Sequence, residues 1–235
     1  MYSILILNML SLNVPYYYNP KMHTLGNIGF GGKLHAATAQ IVTKAIDYVR
    51  YNGINIREEI TGHYVKNNKT ILDLCCGVGI STAEGAIGID TSHEMLNVAV
   101  SLNNNKNKKF YFADAELVRP KQSIDIVTCM FAFHEMPHQA QINVINNAKR
   151  IANEEFIIVD ISPNYKNKNP PKIMLAGEPY LIDYLNNIEK MLHDFEEIVY
   201  VPNHVHVWKY KIPNQRKGLK KRLKIGLFKK LLFKM

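Results

Sequence analysis

Ile71-Leu72-Asp73-Leu74-Cys75-Cys76-Gly77-Val78-Gly79, followed by Ala86-Ile87-Gly88-Ile89-Asp90, decides how this chain folds. A short apolar run, a glycine turn and a second apolar run ending in an acid read as a buried strand, a tight turn and a second strand. Gly77 and Gly79 carry no Cβ, so a ligand can lie against bare backbone and positive φ is tolerated. Asp90 closes the second strand, where a carboxylate can accept hydrogen bonds from both hydroxyls of a ribose. Charge-assisted bonds of that kind are worth roughly 1.5–3 kcal/mol each. Together these pieces make a nucleoside-binding edge on an open α/β sheet. A dinucleotide fits poorly. It asks for a third glycine where Thr82 stands, and for its acid about 20 residues beyond the glycines, whereas Asp90 follows Gly77 by 13. Asp73, inside the first strand, is also unexplained by such a ligand.

Taken with later stretches, these residues resemble the class I S-adenosylmethionine (SAM)-dependent methyltransferases. The nearest branch is the small-molecule one that includes the ubiquinone and menaquinone C-methyltransferases. The resemblance runs from about Thr70 to Lys211. Ile71–Gly79 resembles the glycine-rich first motif, and Gly88-Ile89-Asp90-Thr91-Ser92 with Met95-Leu96 resembles the ribose motif and the helix behind it. Phe112-Ala113-Asp114-Ala115 matches the place where the family sets an acid against the adenine amino group. Ile124 to Phe131 looks like the fourth strand, which runs under the methyl group.

The resemblance implies a Rossmann-like, doubly wound α/β sheet, mostly parallel with an antiparallel C-terminal strand. It implies SAM as cofactor, held by Asp73, Cys75, Gly77, Gly79, Asp90, Thr91, Met95, Asp114, Ala115 and Phe131, with Asp73 near the cationic amino-acid end. Two departures stand out. The family usually has glycine where Cys75 stands. The first crossover is also short, since Gly79–Glu84 holds little more than one helical turn, against the dozen or so residues of an ordinary parallel crossover.

A chain of 235 residues with 47% apolar content can bury one good core. The expected division is an N-terminal cap over residues 1–60, a core over 61–215 and a basic tail over 216–235. Cys75, Cys76 and Cys129 all fall on or beside central strands without CxxC spacing, so they read as small buried hydrophobes in the cytoplasm or another reducing compartment. Met1–Val14 is apolar but shorter than a membrane span. It lacks the features of a secretory signal and reads as a packing segment, or as extra sequence upstream of a start at Met9.

Charge is informative once located. Residues 216–235 hold nine basic side chains and no acid, so the rest of the chain is balanced and the formal +9 belongs to the tail. Leu219, Leu223, Leu227, Leu231 and Met235 recur every four residues among the lysines, an amphipathic helical pattern. It suits an anionic membrane surface. A nucleic-acid arm, a partner-binding helix or an unstructured basic tail remain open alternatives.

Elsewhere the pattern predicts strands at Ile71–Cys75, Ala86–Ile89, Phe110–Ala113, Ile124–Met130 and Phe156–Asp160, with a late hairpin of Glu197–Val201 and His204–Tyr210 turning at Pro202-Asn203. Helices are expected at Leu34–Val49, Ser92–Asn104, His138–Ala152 and Glu178–Leu192. In the first, Ala37, Ile41, Ala45 and Val49 form the stripe expected to pack. The asparagine-lysine runs at Asn103–Lys109 and Asn164–Asn169 read as solvated loops.

For catalysis, SAM is already an activated donor, so the protein must align an acceptor, exclude water and help a proton leave. His134, with Glu135 beside it, leaves the carboxyl end of the fourth strand, where ligands bind in such sheets. His134 reads either as a base or orienter, or as a helix cap bonded to backbone. Tyr17, His23, His35 and Tyr180 are candidate substrate-pocket residues, against ordinary packing. No histidine spacing suggests a metal site. Three functions follow: methyl transfer to a small molecule, lipid-like or quinone-like and membrane-presented; methylation of nucleic acid through the tail; or a catalytically idle SAM-fold module docking on a membrane or partner.

Overall fold

The computed structural model describes residues 19–103, 107–168, 170 and 172–213. The expected N-terminal packing segment, Tyr17 and the basic tail lie outside the described residues. Seven strands form one sheet: β1 Ile71–Leu74, β2 Ile87–Asp90, β3 Lys109–Phe112, β4 Ile124–Met130, β5 Ala152–Ile161, β6 Glu196–Val201 and β7 Val205–Lys211. Their order is β3-β2-β1-β4-β5-β7-β6. The first five run parallel, while β7 is antiparallel to both β5 and β6. This is the mostly parallel, Rossmann-like sheet that the sequence suggests.

The central strands are apolar at nearly every position because both faces are covered. Val127 and Cys129 of β4, Phe156 and Ile158 of β5, and Trp208 of β7 point into one core, beneath α4 (His138–Ile151) and α6 (Leu181–Met191). Their neighbours Ile126, Met130, Ile157, Val159 and Val207 point the other way, against Ile56, Ile60 and Tyr64 of α2 (Ile56–Lys66). The period of two sorts each strand between two layers.

The link from β1 to β2 has no helix at all. What replaces it is close packing on Gly88, where an added Cβ would lie 2.8 Å from Cys76 Sγ, 2.8 Å from Thr82 Oγ1 and 2.9 Å from the Phe110 ring. The bare Cα lets the crossover lie directly on β2. Asp73, fully buried in β1, fastens it by accepting hydrogen bonds from Ser81 and Thr82 hydroxyls at 2.7 Å each and from Thr128 at 2.9 Å.

Three expectations need correction. α1 (Gly29–Tyr51) exposes Ala37, Ile41, Ala45 and Val49 instead of burying them. The helix sits down through Gly32, Ala36, Asp47 and Tyr51, small or paired residues that let it approach closely. The single helix expected over Glu178–Leu192 is two: α5 (Lys172–Gly177) stops, and α6 starts at Leu181. Pro179 disfavours helical backbone in the residue before it, which leaves Glu178 at the joint. The supposed loop after Pro163 winds into a 3₁₀ turn over Pro163–Lys168. α2 was not foreseen, although Asn55 caps Glu58 and Ile56, Ile60 and Tyr64 recur every four residues. α3 (His93–Leu102) follows β2, capped by Ser92.

Candidate active site

A cavity of about 770 Å³ runs over the carboxyl ends of the parallel strands, roofed by α1 and by the segment around the 3₁₀ turn Met22–Thr24. Its β2–β1 side is made of backbone. Cys75, Gly77 and Gly79 all take positive φ (55°, 51° and 76°). The Gly77 N–H donates to Asp90 Oδ2 and the Ser92 N–H to Asp90 Oδ1, each at 2.8 Å. Asp90 thus ties the turn to β2, and burial pushes its carboxyl above the usual range. Its oxygens have about four lone-pair directions between them, enough to take a further donor.

Cys75, Gly77, Asp90, Thr91, Met95, Asp114, Ala115 and Phe131 line this cavity. A Cβ at Gly77 would meet nothing within 4 Å, so the turn offers bare backbone to a ligand. Asp73 and Gly79 are not among the lining residues. Asp73 is committed to the crossover hydroxyls, and Gly79 is required because a Cβ there would stand 2.6 Å from the Phe110 ring. Both shape the turn from behind.

The side over β4 and β5 is made of side chains. Phe131 leaves β4 with φ 56°, and the Arg57 guanidinium covers its ring at 4.4 Å. His134 is buried, with Nδ1 2.5 Å from Asp160 Oδ1. Asp160 also accepts the backbone N–H groups of Phe133 at 2.8 Å and His134 at 3.3 Å, so one carboxylate orients the whole segment. Burial opposes charge on His134, but Asp160, Glu178 and Glu135 outweigh it and raise its pKa to about 9. Glu135 turns to His23, whose Nε2 lies 2.7 Å from Glu135 Oε1 and whose Nδ1 lies 3.0 Å from Glu178 Oε1. Burial again opposes protonation, yet the two carboxylates lift His23 to about 11. His35 stacks obliquely on His23 at 4.4 Å, and burial together with that cation lowers its pKa.

His134, Glu135, His23 and His35 therefore come together in the cavity, while Tyr180 is not among its lining residues and stands at the start of α6. Sequence reading missed Asp160, Glu178, Tyr51, Arg57, Tyr165 and His204. Asp160 had a signal: like Asp90, it stands at the carboxyl end of an apolar run. Glu178 had a weaker one in the Pro179 beside it, and the other four come from distant elements and had none. Among the described residues no group of three or more His, Cys, Asp or Glu side chains could hold a metal ion.

A sheet of this order, with a glycine turn and an acid at the β1–β2 edge, defines the class I methyltransferase architecture. Residues 71–155 match a family model described as a methyltransferase domain. Similar solved structures include a SAM-dependent methyltransferase from Aquifex aeolicus, at 19% identity over 76% of this chain and 98% of that one, with a TM-score of 0.54. Magnesium protoporphyrin IX methyltransferase from Synechocystis, with bound SAH, is 14% identical over 77% and 98%, with a TM-score of 0.51. The plantazolicin methyltransferase BpumL, in complex with a monoazolic desmethylPZN analog and SAH, is 16% identical over 75% and 89%, with a TM-score of 0.52. At these identities the likeness establishes the fold. No curated protein sequence matches the chain.

Proposed function

We propose that this chain transfers the methyl group of SAM to a small-molecule acceptor. The observation that carries this reading is the continuity of one cavity from the Gly77–Asp90–Asp114 edge to the Asp160–His134 pair. SAM, when bound, supplies a methyl group already activated on a sulfonium. Asp90 accepts the ribose hydroxyls, Gly77 offers its bare backbone, and Asp114 with Ala115 meets the adenine end. His134, oriented by Asp160, handles the acceptor over β4, and α1 with the His23 segment excludes water. The idle-module alternative loses its main support, because the shortened crossover still holds the turn through Asp73, Gly88 and Asp90.

Calorimetric titration with S-adenosylhomocysteine tests the reading. Wild type should bind at micromolar concentration, and Asp90→Ala should weaken binding by at least 100-fold, the equivalent of about 3 kcal/mol from lost charge-assisted bonds. No binding to a folded wild type would overturn it.

The finer proposal is a lipid-like or quinone-like acceptor met at an anionic membrane surface. Among the described residues no helix is long and apolar enough to cross a membrane. α1 supports surface docking: Phe30, Leu34, Ala37, Ile41, Ala45 and Tyr48 recur at helical spacing and are exposed, Phe30 to 85% and Tyr48 to 78%. The charges on that arc, Lys33 and Lys44, are both positive, while the helix's one acid, Asp47, is buried and paired with Arg57 at 3.0 Å. An apolar stripe with basic flanks matches an anionic bilayer. Sedimentation with phosphatidylserine vesicles should fall in an Ile41→Glu, Tyr48→Glu variant and on deletion of 216–235. Equal sedimentation with neutral phosphatidylcholine vesicles would defeat the idea.

A further inference from the structure

We infer that the acceptor presents a hydroxyl group to a polar site between His134 Nε2 and Glu178 Oε2. This rests on the methyltransferase reading only in taking the β4–β5 side of the cavity as the acceptor side. Glu178 sits at the joint that Pro179 forces between α5 and α6, and its side chain is only 11% exposed. One oxygen, Oε1, is engaged by His23 at 3.0 Å. The other, Oε2, is buried and has no hydrogen-bond partner. Leaving such an atom unsatisfied is costly, more so when it is charged.

On the facing segment His134 Nε2 lies 4.0 Å from it, too far for a direct bond. Nε2 is likewise 4.0 Å from Glu135 Oε1, which His23 already occupies. His134, Glu135 and Glu178 all line the cavity. An oxygen placed about 2.8 Å from both Nε2 and Oε2 would subtend about 90° between them, an angle within reach of a tetrahedral hydroxyl.

The chemistry of the pair selects the group. His134 Nδ1 faces Asp160, and with a pKa of about 9 the ring is protonated near neutrality, so Nε2 donates. Glu178 Oε2, as a carboxylate, accepts. The guest atom must therefore accept from one and donate to the other. A carboxylate guest would be repelled by Glu178, and an ammonium guest would set donors against the His134 N–H. A hydroxyl does both at one atom. Phe131, Tyr51, Tyr165 and Met174 line the same cavity and offer apolar surface to the rest of the molecule.

Phenol is a small probe that carries such a hydroxyl on an apolar ring, and toluene is its shape control. With the protein saturated in S-adenosylhomocysteine, phenol should bind at least tenfold more tightly than toluene. Glu178→Met should erase that preference to within about twofold, and Glu178→Gln, which keeps one accepting oxygen, should fall between. Thermal unfolding of each variant checks that it is folded. Equal binding of phenol and toluene by wild type overturns the inference, as does a folded Glu178→Met that keeps the preference. If S-adenosylhomocysteine does not bind, repeating the comparison without it separates the two ideas: a preserved phenol preference keeps the hydroxyl site and removes the methyltransferase reading.

Discussion

On one side of the cavity the working groups lie between Cys75 and Ala115, close in sequence and largely backbone; on the other they come from His23, Arg57, His134, Asp160 and Glu178, drawn from four separate elements and the α5–α6 joint. The first side needs particular φ angles and bare Cα atoms, and it is fixed locally by the β1–β2 pairing. The second needs charges to balance in a buried place and is fixed only when the sheet, the 3₁₀ turns Met22–Thr24 and Phe133–Glu135 and the α5–α6 joint have all assembled. A site built by backbone should fail through steric misfit. One built by ion pairs should fail through uncompensated charge.

The charge-built side offers the largest effect. His23 and Thr24 hold left-handed φ of 47° and 63°, conformations that persist only where surrounding contacts over-determine them. His23 supplies those contacts by bridging Glu135 and Glu178. Replacing it with Phe leaves two poorly hydrated carboxylates without their cation, a loss of about 3 kcal/mol. The expected result is local: amide exchange at Thr24 and Gly26, whose N–H groups close the turn on Lys21 and Met22, should quicken by about 100-fold. Exchange at β1 and β2 should stay slow. Uniform acceleration through the sheet would merge the two halves and break the comparison.

The backbone-built side should respond to one methyl group. Gly88→Ala pushes a Cβ against Cys76, Thr82 and Phe110 at under 3 Å, and Thr82 cannot retreat while its hydroxyl is held by Asp73. Overpacking of this kind costs about 2 kcal/mol, to be read from the urea midpoint. Gly77→Ala meets open space but must hold a left-handed φ of 51°, so it should cost about 1 kcal/mol in stability and more in S-adenosylhomocysteine affinity.

This contrast also explains what the sequence revealed. The glycine turn, Asp90 and the run of apolar strands were legible because backbone geometry leaves local marks: a missing side chain, a terminal acid, a length. α1 misled because its small residues, not its apolar stripe, make the close contacts. Asp73 and Gly79 were assigned to the ligand because motif position cannot tell which face of a turn a residue supports. Glu178 was hidden inside an expected helix, although Pro179 beside it marked the break. Charge-balanced clusters such as His23–Glu135–Glu178 leave no spacing at all, since their members meet only in the folded chain.

Titration probes the charged side without mutation. Both His134 and His23 have folded-state pKa values above the ordinary 6.5, so the stability each lends is complete below about pH 6.5. It drains away as pH rises through about 9 for His134 and about 11 for His23. His35 runs the other way: its pKa is lowered, so its contribution is lost as pH falls. Glu135, held down by His23 after burial is overcome, loses its contribution only toward strong acid. Imidazole NMR should give midpoints in the order His35, His134, His23. A His134 midpoint near 6.5 would mean that Asp160 orients the ring without stabilising its cation.

The smallest effect belongs to Cys75, the one departure from glycine in the turn. Its φ of 55° costs an ordinary side chain roughly 1–2 kcal/mol. The thiol recovers part of this by packing beside Cys129 and by filling space at the edge of the main core. Removing a small half-buried side chain forfeits about 1 kcal/mol. The two terms nearly cancel, so Cys75→Gly should shift the urea-derived stability by under about 1 kcal/mol in either direction. Its affinity for S-adenosylhomocysteine should rise by a few-fold, because a bare Cα at 75 extends the open backbone that Gly77 already offers. A large loss of stability with unchanged affinity would instead assign Cys75 to the core, leaving Gly77 as the turn's main point of backbone contact.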